Sequence, residues 1–113
     1  NMHNLRKTIR HGIPEHFPVE DIIQKRLLGQ LENISSDGLM LLCENPLQVH
    51  DFHIVNIELP PDYFPGIPYL RLTLHVCWVK GRQGTSKSAA GCKIISVANG
   101  SQTILEDVIA YHD

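Results

Sequence analysis

The side chains best suited to chemistry lie in two short runs. Arg6 and Arg10 stand four positions apart in Arg6-Lys7-Thr8-Ile9-Arg10, and Asn33, Ser35 and Gly38 follow in Asn33-Ile34-Ser35-Ser36-Asp37-Gly38. A guanidinium is always charged, forks onto phosphate oxygens, and can stack on a purine face or donate to its acceptor edge. Lys7 offers only a point charge, so Arg6 and Arg10 are the better candidates. Along an extended strand residues two apart share a face, which sends Asn33 and Ser35 one way and Ile34 the other, into the core. Their short amide and hydroxyl groups can read the edge of a base. Either run alone is weak evidence, because paired basic residues usually mark a solvated segment and an Asn/Ser/Gly cluster usually marks a turn.

Other reactive residue types fall into less productive patterns. Gly81-Arg82-Gln83-Gly84-Thr85-Ser86-Lys87-Ser88 comes close to a phosphate-binding loop and follows a strand, but Ser86 stands where the penultimate glycine belongs. The residues after it read as a strand, not as the helix whose N-terminus must face the phosphates, so a hairpin loop is expected. His50-Asp51-Phe52-His53 has metal-capable types without nearby ligands to complete a site, and a surface turn explains it. His75 and Cys77, with Cys92 on the partner strand, read as packed structural side chains, and no metal is expected. No Gly-x-Ser-x-Gly elbow occurs and no spacing singles out a Ser/His/Asp triad, so no catalytic residue is expected and an enzyme is not indicated. Trp78, Tyr63, Tyr69 and Tyr111 read as core or rim aromatics, with too few basic neighbours for a single-strand platform.

The elements that must position these residues are mostly strands. Residues 1–12 are polar and basic, with His3, Arg6, Lys7, Arg10 and His11, and read as a mobile arm. Phe17 and Val19 alternate as a short strand does, and Leu27, Leu28 and Leu31 lead into a second. Asp37-Gly38 signals a tight hairpin turn, since both residues tolerate positive backbone angles, and Leu39 to Cys43 continues as a strand. Val55, Ile57 and Leu59 form another, closed by the loop of Pro60, Pro61, Pro65, Gly66 and Pro68. Leu70, Leu72, Leu74, Val76 and Trp78 recur at every second residue and are expected to line one face of the longest strand, leaving Arg71, Thr73 and His75 on the other. Cys92 to Val97 pairs with it as a closing hairpin. After Gly100 the period lengthens: Ile104, Leu105, Val108 and Ile109 predict a terminal helix, capped by Thr103 with Glu106 or by Asn99 with Gln102. Residues 13–113 thus read as one barrel domain with a C-terminal helix.

Composition narrows the class further. At 113 residues the chain holds one domain with its own core. Ten basic against twelve acidic side chains give a net charge of −2, which offers no general attraction for a nucleic-acid backbone or an acidic membrane surface. Any anion has to be bound locally. Cys43, Cys77 and Cys92 are odd in number and widely spaced, which suits reduced thiols and a cytoplasmic setting. No run approaches the roughly 18 apolar residues of a membrane helix, so no membrane insertion is expected.

The two runs taken together, in this order and followed by strands and a terminal helix, resemble the signature of the PilZ family of cyclic di-GMP receptors. That family pairs Arg-x-x-x-Arg with Asp/Asn-x-Ser-x-x-Gly, and Arg6, Arg10, Asn33, Ser35 and Gly38 match every defined position. Cys77-Trp78-Val79-Lys80 and Ala90-Gly91-Cys92-Lys93-Ile94 look like the family's last long hairpin. The resemblance implies an all-β, six-stranded antiparallel barrel with a C-terminal helix and a flexible N-terminal arm. It implies a bacterial, cytoplasmic sensor that binds cyclic di-GMP through those five residues, needs no other cofactor, and passes the signal to a protein partner. Gly38 by the same resemblance permits the turn and keeps the surface open to the ligand. The alternative is an interaction adaptor that keeps the barrel and binds no nucleotide.

Overall fold

The structure, a computed structural model, describes residues 17–112. Arg6, Arg10 and the segment read as a mobile arm lie outside the described residues. Six strands follow in order: β1 (Pro18–Asp21), β2 (Arg26–Ile34), β3 (Gly38–Cys43), β4 (Phe52–Glu58), β5 (Tyr69–Gly81) and β6 (Ser88–Val97), then one helix, α1 (Gln102–His112). They close into an antiparallel barrel in the order β1-β2-β3-β6-β5-β4. Chain neighbours other than β3 and β4 pair as hairpins, and two longer-range ladders, β3 with β6 and β1 with β4, close the ring. The expected fold class is therefore the one observed.

Alternation of apolar residues drives this closure. Val55 and Ile57 of β4 and Leu70, Leu72, Leu74 and Val76 of β5 are at most 1% exposed and face the interior. Burying each such side chain contributes roughly 1.5–3 kcal/mol. Leu39, Leu41 and Cys43 of β3 do the same from the opposite wall. Phe17, also buried, packs edge-on to Phe64 at 6.1 Å and against Tyr111 of α1 at 5.3 Å, joining the start of the barrel to the helix.

The strict two-residue period fails at β-bulges, and each failure matters for the outer surface. Between Val76 and Trp78 the register against β6 slips by one residue, so Cys77 is the extra residue and Trp78 sits opposite Gly91. Trp78 thus leaves the interior face expected from its spacing and turns outward, 45% exposed. A second slip between Leu31 and Asn33 makes Glu32 the extra residue of β2. It lets Leu31 stay in the core while Asn33, two positions on, lies outside. A bulge inserts one residue on one strand only, which inverts the inside/outside parity beyond it.

The helix buries Leu105 and Val108, with Ile104 and Ile109 packed beside the core. Neither expected capping register is the one used. Gly100 turns the chain at φ +79°, and Ser101 takes the N-cap position, its carbonyl accepting from the Leu105 N–H at 2.9 Å. The apolar stripe reveals the helix but not its first turn, which the backbone of Ala98–Ser101 sets by bonding the Ser101 N–H to the Ala98 carbonyl at 2.9 Å.

Candidate functional site

Asn33, Ser35 and Gly38 converge on one groove of about 420 Å³ on the outside of the barrel. Its floor and far wall are Met40, Gly91, Cys77 and Trp78, with Lys93 at its margin. The register explains why. Asn33 lies opposite Met40, Met40 opposite Gly91, and Gly91 opposite Trp78, so one rung crosses β2, β3, β6 and β5. At about 4.8 Å between strands, that rung spans roughly 14 Å. The volume lies within the range of about 300–1,000 Å³ common for small-molecule sites.

Gly38 acts here differently from the turn role expected of it. Its backbone is not left-handed; among the described glycines only Gly66, Gly84 and Gly100 have positive φ. A Cβ at Gly38 would instead meet the Cys92 carbonyl oxygen at 2.7 Å, so glycine is required by the close approach of β3 to β6. Asp37, the other residue of the expected turn signal, also has a negative φ. The hairpin is held by the Ser35 N–H donating to the Gly38 carbonyl at 2.8 Å. The Ser35 hydroxyl accepts from the Gly38 and Asp37 N–H groups at 3.3 and 3.4 Å. These contacts are long for hydrogen bonds, and the exposed hydroxyl can exchange them for a stronger partner.

Gly91 makes the other wall possible. A Cβ there would fall 2.1 Å from the Cε2 and Nε1 atoms of Trp78, so the indole lies directly over the glycine. Glycine inside a strand often marks such a close approach. The spacing of β5 put Trp78 on the interior face, and local spacing brought none of Trp78, Met40, Gly91 and Lys93 into the site. The one available signal was a glycine in β6 opposite the only tryptophan of the chain.

The charge of the groove is balanced. Lys93 supplies one cation and the exposed Asp37 one carboxylate. Arg82, on the β5–β6 loop, is engaged with Glu32. A ligand with two negative charges therefore has to draw further cations from elsewhere in the chain, and Arg6 and Arg10 lie outside the described residues.

The remaining reactive groups resolve into structural roles or open surface. The near-phosphate loop is the β5–β6 hairpin, with its polar groups turned inward: the Arg82 N–H donates to the Lys87 carbonyl at 2.9 Å and the Thr85 hydroxyl to the Arg82 carbonyl at 3.1 Å. His53 is not part of a surface turn, as its sequence neighbourhood suggested. It is 5% exposed, and its Nδ1 lies 2.6 Å from Asp21 Oδ2, across the β1–β4 seam. Burial works to raise the Asp21 carboxyl. The N–H groups of Gln24 and Ile23, both at 2.8 Å, and the His53 ring outweigh that and hold it below its ordinary value. His75 and Cys77 share the outer face as expected, with Cys77 Sγ 3.9 Å from His75 Nδ1, but Cys92, opposite Val76, is buried in the core and does not join them. Burial pushes the Cys92 thiol up to about 12 and the Cys43 thiol to about 11, so neither is a nucleophile. Among the described residues no group of three or more side chains could hold a metal ion, and no helix is long and apolar enough to cross a membrane.

Compared with protein families, the chain matches the PilZ domain over residues 4–111. Searches of curated proteins and of solved structures return no significant match.

Proposed function

Since the chain belongs to the PilZ domain family, whose members in general bind cyclic di-GMP and are binding modules rather than enzymes, we propose that it senses this dinucleotide in the groove between Asn33 and Trp78. The observation that carries the reading is the rung from Asn33 through Met40 and Gly91 to Trp78, with Ser35 and Gly38 beside it. Cyclic di-GMP presents two phosphodiester charges and two guanines with flat faces. The Trp78 indole gives one guanine a surface to stack on, worth about 1–3 kcal/mol by the measure of base–aromatic stacking. Asn33 and Ser35 read the guanine edge, and Lys93 approaches a phosphate. Met40 and Gly91 leave the floor low enough for a flat base.

Arg6 and Arg10 complete the charge balance. The Phe17 carbonyl accepts from the Leu31 N–H at 3.0 Å, so the upstream chain begins beside β2, two residues from Asn33. Arg10 lies seven positions before Phe17, and a chain of that length can span up to about 25 Å, beyond the roughly 14 Å width of the groove. On this reading the ligand orders the N-terminal segment over the groove, and the change is passed to a protein partner. Each charge-assisted hydrogen bond contributes roughly 1.5–3 kcal/mol, while fixing each backbone residue costs about 1–2 kcal/mol. With so narrow a margin, loss of one arginine removes most of the affinity.

Titration calorimetry with cyclic di-GMP on the wild type and on Arg10→Ala tests this. Saturable heat in the wild type that disappears in the variant is the expected result. Silence in both overturns the sensor reading and leaves an adaptor that uses the barrel without a nucleotide.

A further inference from the structure

Glu32, the extra residue of the β2 bulge, immediately precedes Asn33 of the groove. Consecutive Cα atoms are only about 3.8 Å apart, so Glu32 stands at the near wall. Its partner comes from the opposite wall. Trp78 of β5 and Gly91 of β6 form that wall, and the same two strands run on, Gly81 opposite Ser88, into the loop that carries Arg82. Arg82 Nη2 donates to Glu32 Oε1 and joins this loop to β2. β3 and β6 lie between β2 and β5 in the ring, and the groove crosses the same four strands. The pair therefore links the two walls side chain to side chain.

The pairing leaves most of the guanidinium unused. Its five N–H donors form a planar fork, yet a single nitrogen meets a single carboxylate oxygen, and Nε and Nη1 have no hydrogen-bond partner among the described residues. The Arg82 side chain is 42% exposed and that of Glu32 28%, so a bound molecule can reach both. An exposed, single-contact ion pair contributes little to the stability of a fold. Nor does the loop depend on it, since the Arg82 backbone already bonds Lys87 and Thr85. Lys87, the other cation of the loop, is 3.4 Å from Glu44.

We propose that Arg82, held at the groove rim by Glu32, binds a phosphate of the dinucleotide through the N–H groups that Glu32 leaves free. The proposal rests on the sensor reading of the groove and adds a binding residue outside both motif runs. Charge supplies the reason. A bare Glu32 would join Asp37 in repelling an anion, against the one cation of Lys93. Arg82 cancels that carboxylate and still presents a fork suited to phosphate oxygens. The Gly81–Ser88 run, whose spacing comes close to a phosphate-binding loop, thus meets its anion with a side chain and not with a backbone cradle.

The test is titration calorimetry of the full chain with cyclic di-GMP, comparing the wild type, Arg82→Ala, and the double variant Arg82→Ala with Glu32→Gln. The expected loss of affinity in Arg82→Ala is about tenfold, the effect of removing a hydrogen bond to a charged group. The double variant separates contact from neutralisation. If Arg82 touches the phosphate, removing the Glu32 charge as well leaves binding more than about threefold weaker than wild type. Recovery to within about threefold shows that Arg82 only cancels Glu32 and overturns the proposal, as does an Arg82→Ala affinity within the same limit. Because the pair is exposed, urea midpoints of both variants should match the wild type. Midpoints that fall in step with affinity make the pair a structural clasp and also overturn it. Arg10→Ala distinguishes the two failures. A wild type without saturable heat removes the sensor reading and this proposal together, whereas binding that falls in Arg10→Ala but not in Arg82→Ala removes Arg82 alone.

Discussion

Gly38→Ala separates a packing requirement from a turn requirement at the last position of the motif. The added Cβ would sit 2.7 Å from the Cys92 carbonyl oxygen, well inside the 3.4 Å at which ordinary van der Waals contact begins. The obstacle is backbone, and it belongs to a ladder that runs from Gly38 opposite Lys93 to Cys43 opposite Ser88. β3 cannot back away without disturbing β2, because the ring is closed. Overpacking of this kind costs about 1–3 kcal/mol. With a urea dependence of roughly 1–3 kcal/mol per molar for a small domain, the unfolding midpoint should fall by about 1 M. Equilibrium urea denaturation without ligand, followed by circular dichroism, measures it. Gly38→Asn sharpens the result: asparagine tolerates positive φ, so a turn requirement predicts a milder effect than alanine, whereas the contact with Cys92 predicts one at least as severe. A Gly38→Ala midpoint within about 0.2 M of wild type, or rescue by asparagine, would refute the packing argument.

Gly91→Ala meets a movable side chain instead of backbone, since the clash is with the half-exposed Trp78 ring. The indole should swing away, leaving stability within about 1 kcal/mol of wild type while the emission of the sole tryptophan shifts and cyclic di-GMP affinity drops about tenfold; unchanged emission contradicts the seat described for Trp78. Asp21→Asn should cost about 1.5–3 kcal/mol at pH 7, the value of hydrogen bonds to a buried charged group. Because the folded carboxyl is held below its ordinary value, this contribution is complete above about pH 4 and is lost as the pH falls through the lower folded value. Urea midpoints of wild type and variant should therefore converge toward pH 3, and a gap that stays constant from pH 7 to pH 3 counts against the pair at the β1–β4 seam.

Much of the fold was legible because alternation is a local record of which side faces the core. Leu70, Leu72, Leu74 and Val76 predicted an inward row, and all four are buried. The stripe of Ile104, Leu105, Val108 and Ile109 predicted the helix for the same reason. The pattern misled where a bulge intervened. Trp78 continues the spacing of Val76 in sequence yet faces outward, because the extra residue Cys77 inverts the parity. His53 was misjudged for a different reason: its partner Asp21 lies thirty-two positions away and comes near it only when β1 pairs with β4.

What the sequence determined by itself was the set of strands, the helix, and the grouping of Asn33, Ser35 and Gly38, since these rest on short-range periodicity and on residues close together in the chain. What only the tertiary structure decided was the far wall of the groove and the reason Gly38 is glycine. Both arise from strand register, where Trp78 meets Gly91 and Gly38 meets the Cys92–Lys93 backbone across ladders between distant segments. Register is fixed by the closure of the whole ring, so a single-residue slip that is invisible in local spacing decides which side chains share a surface.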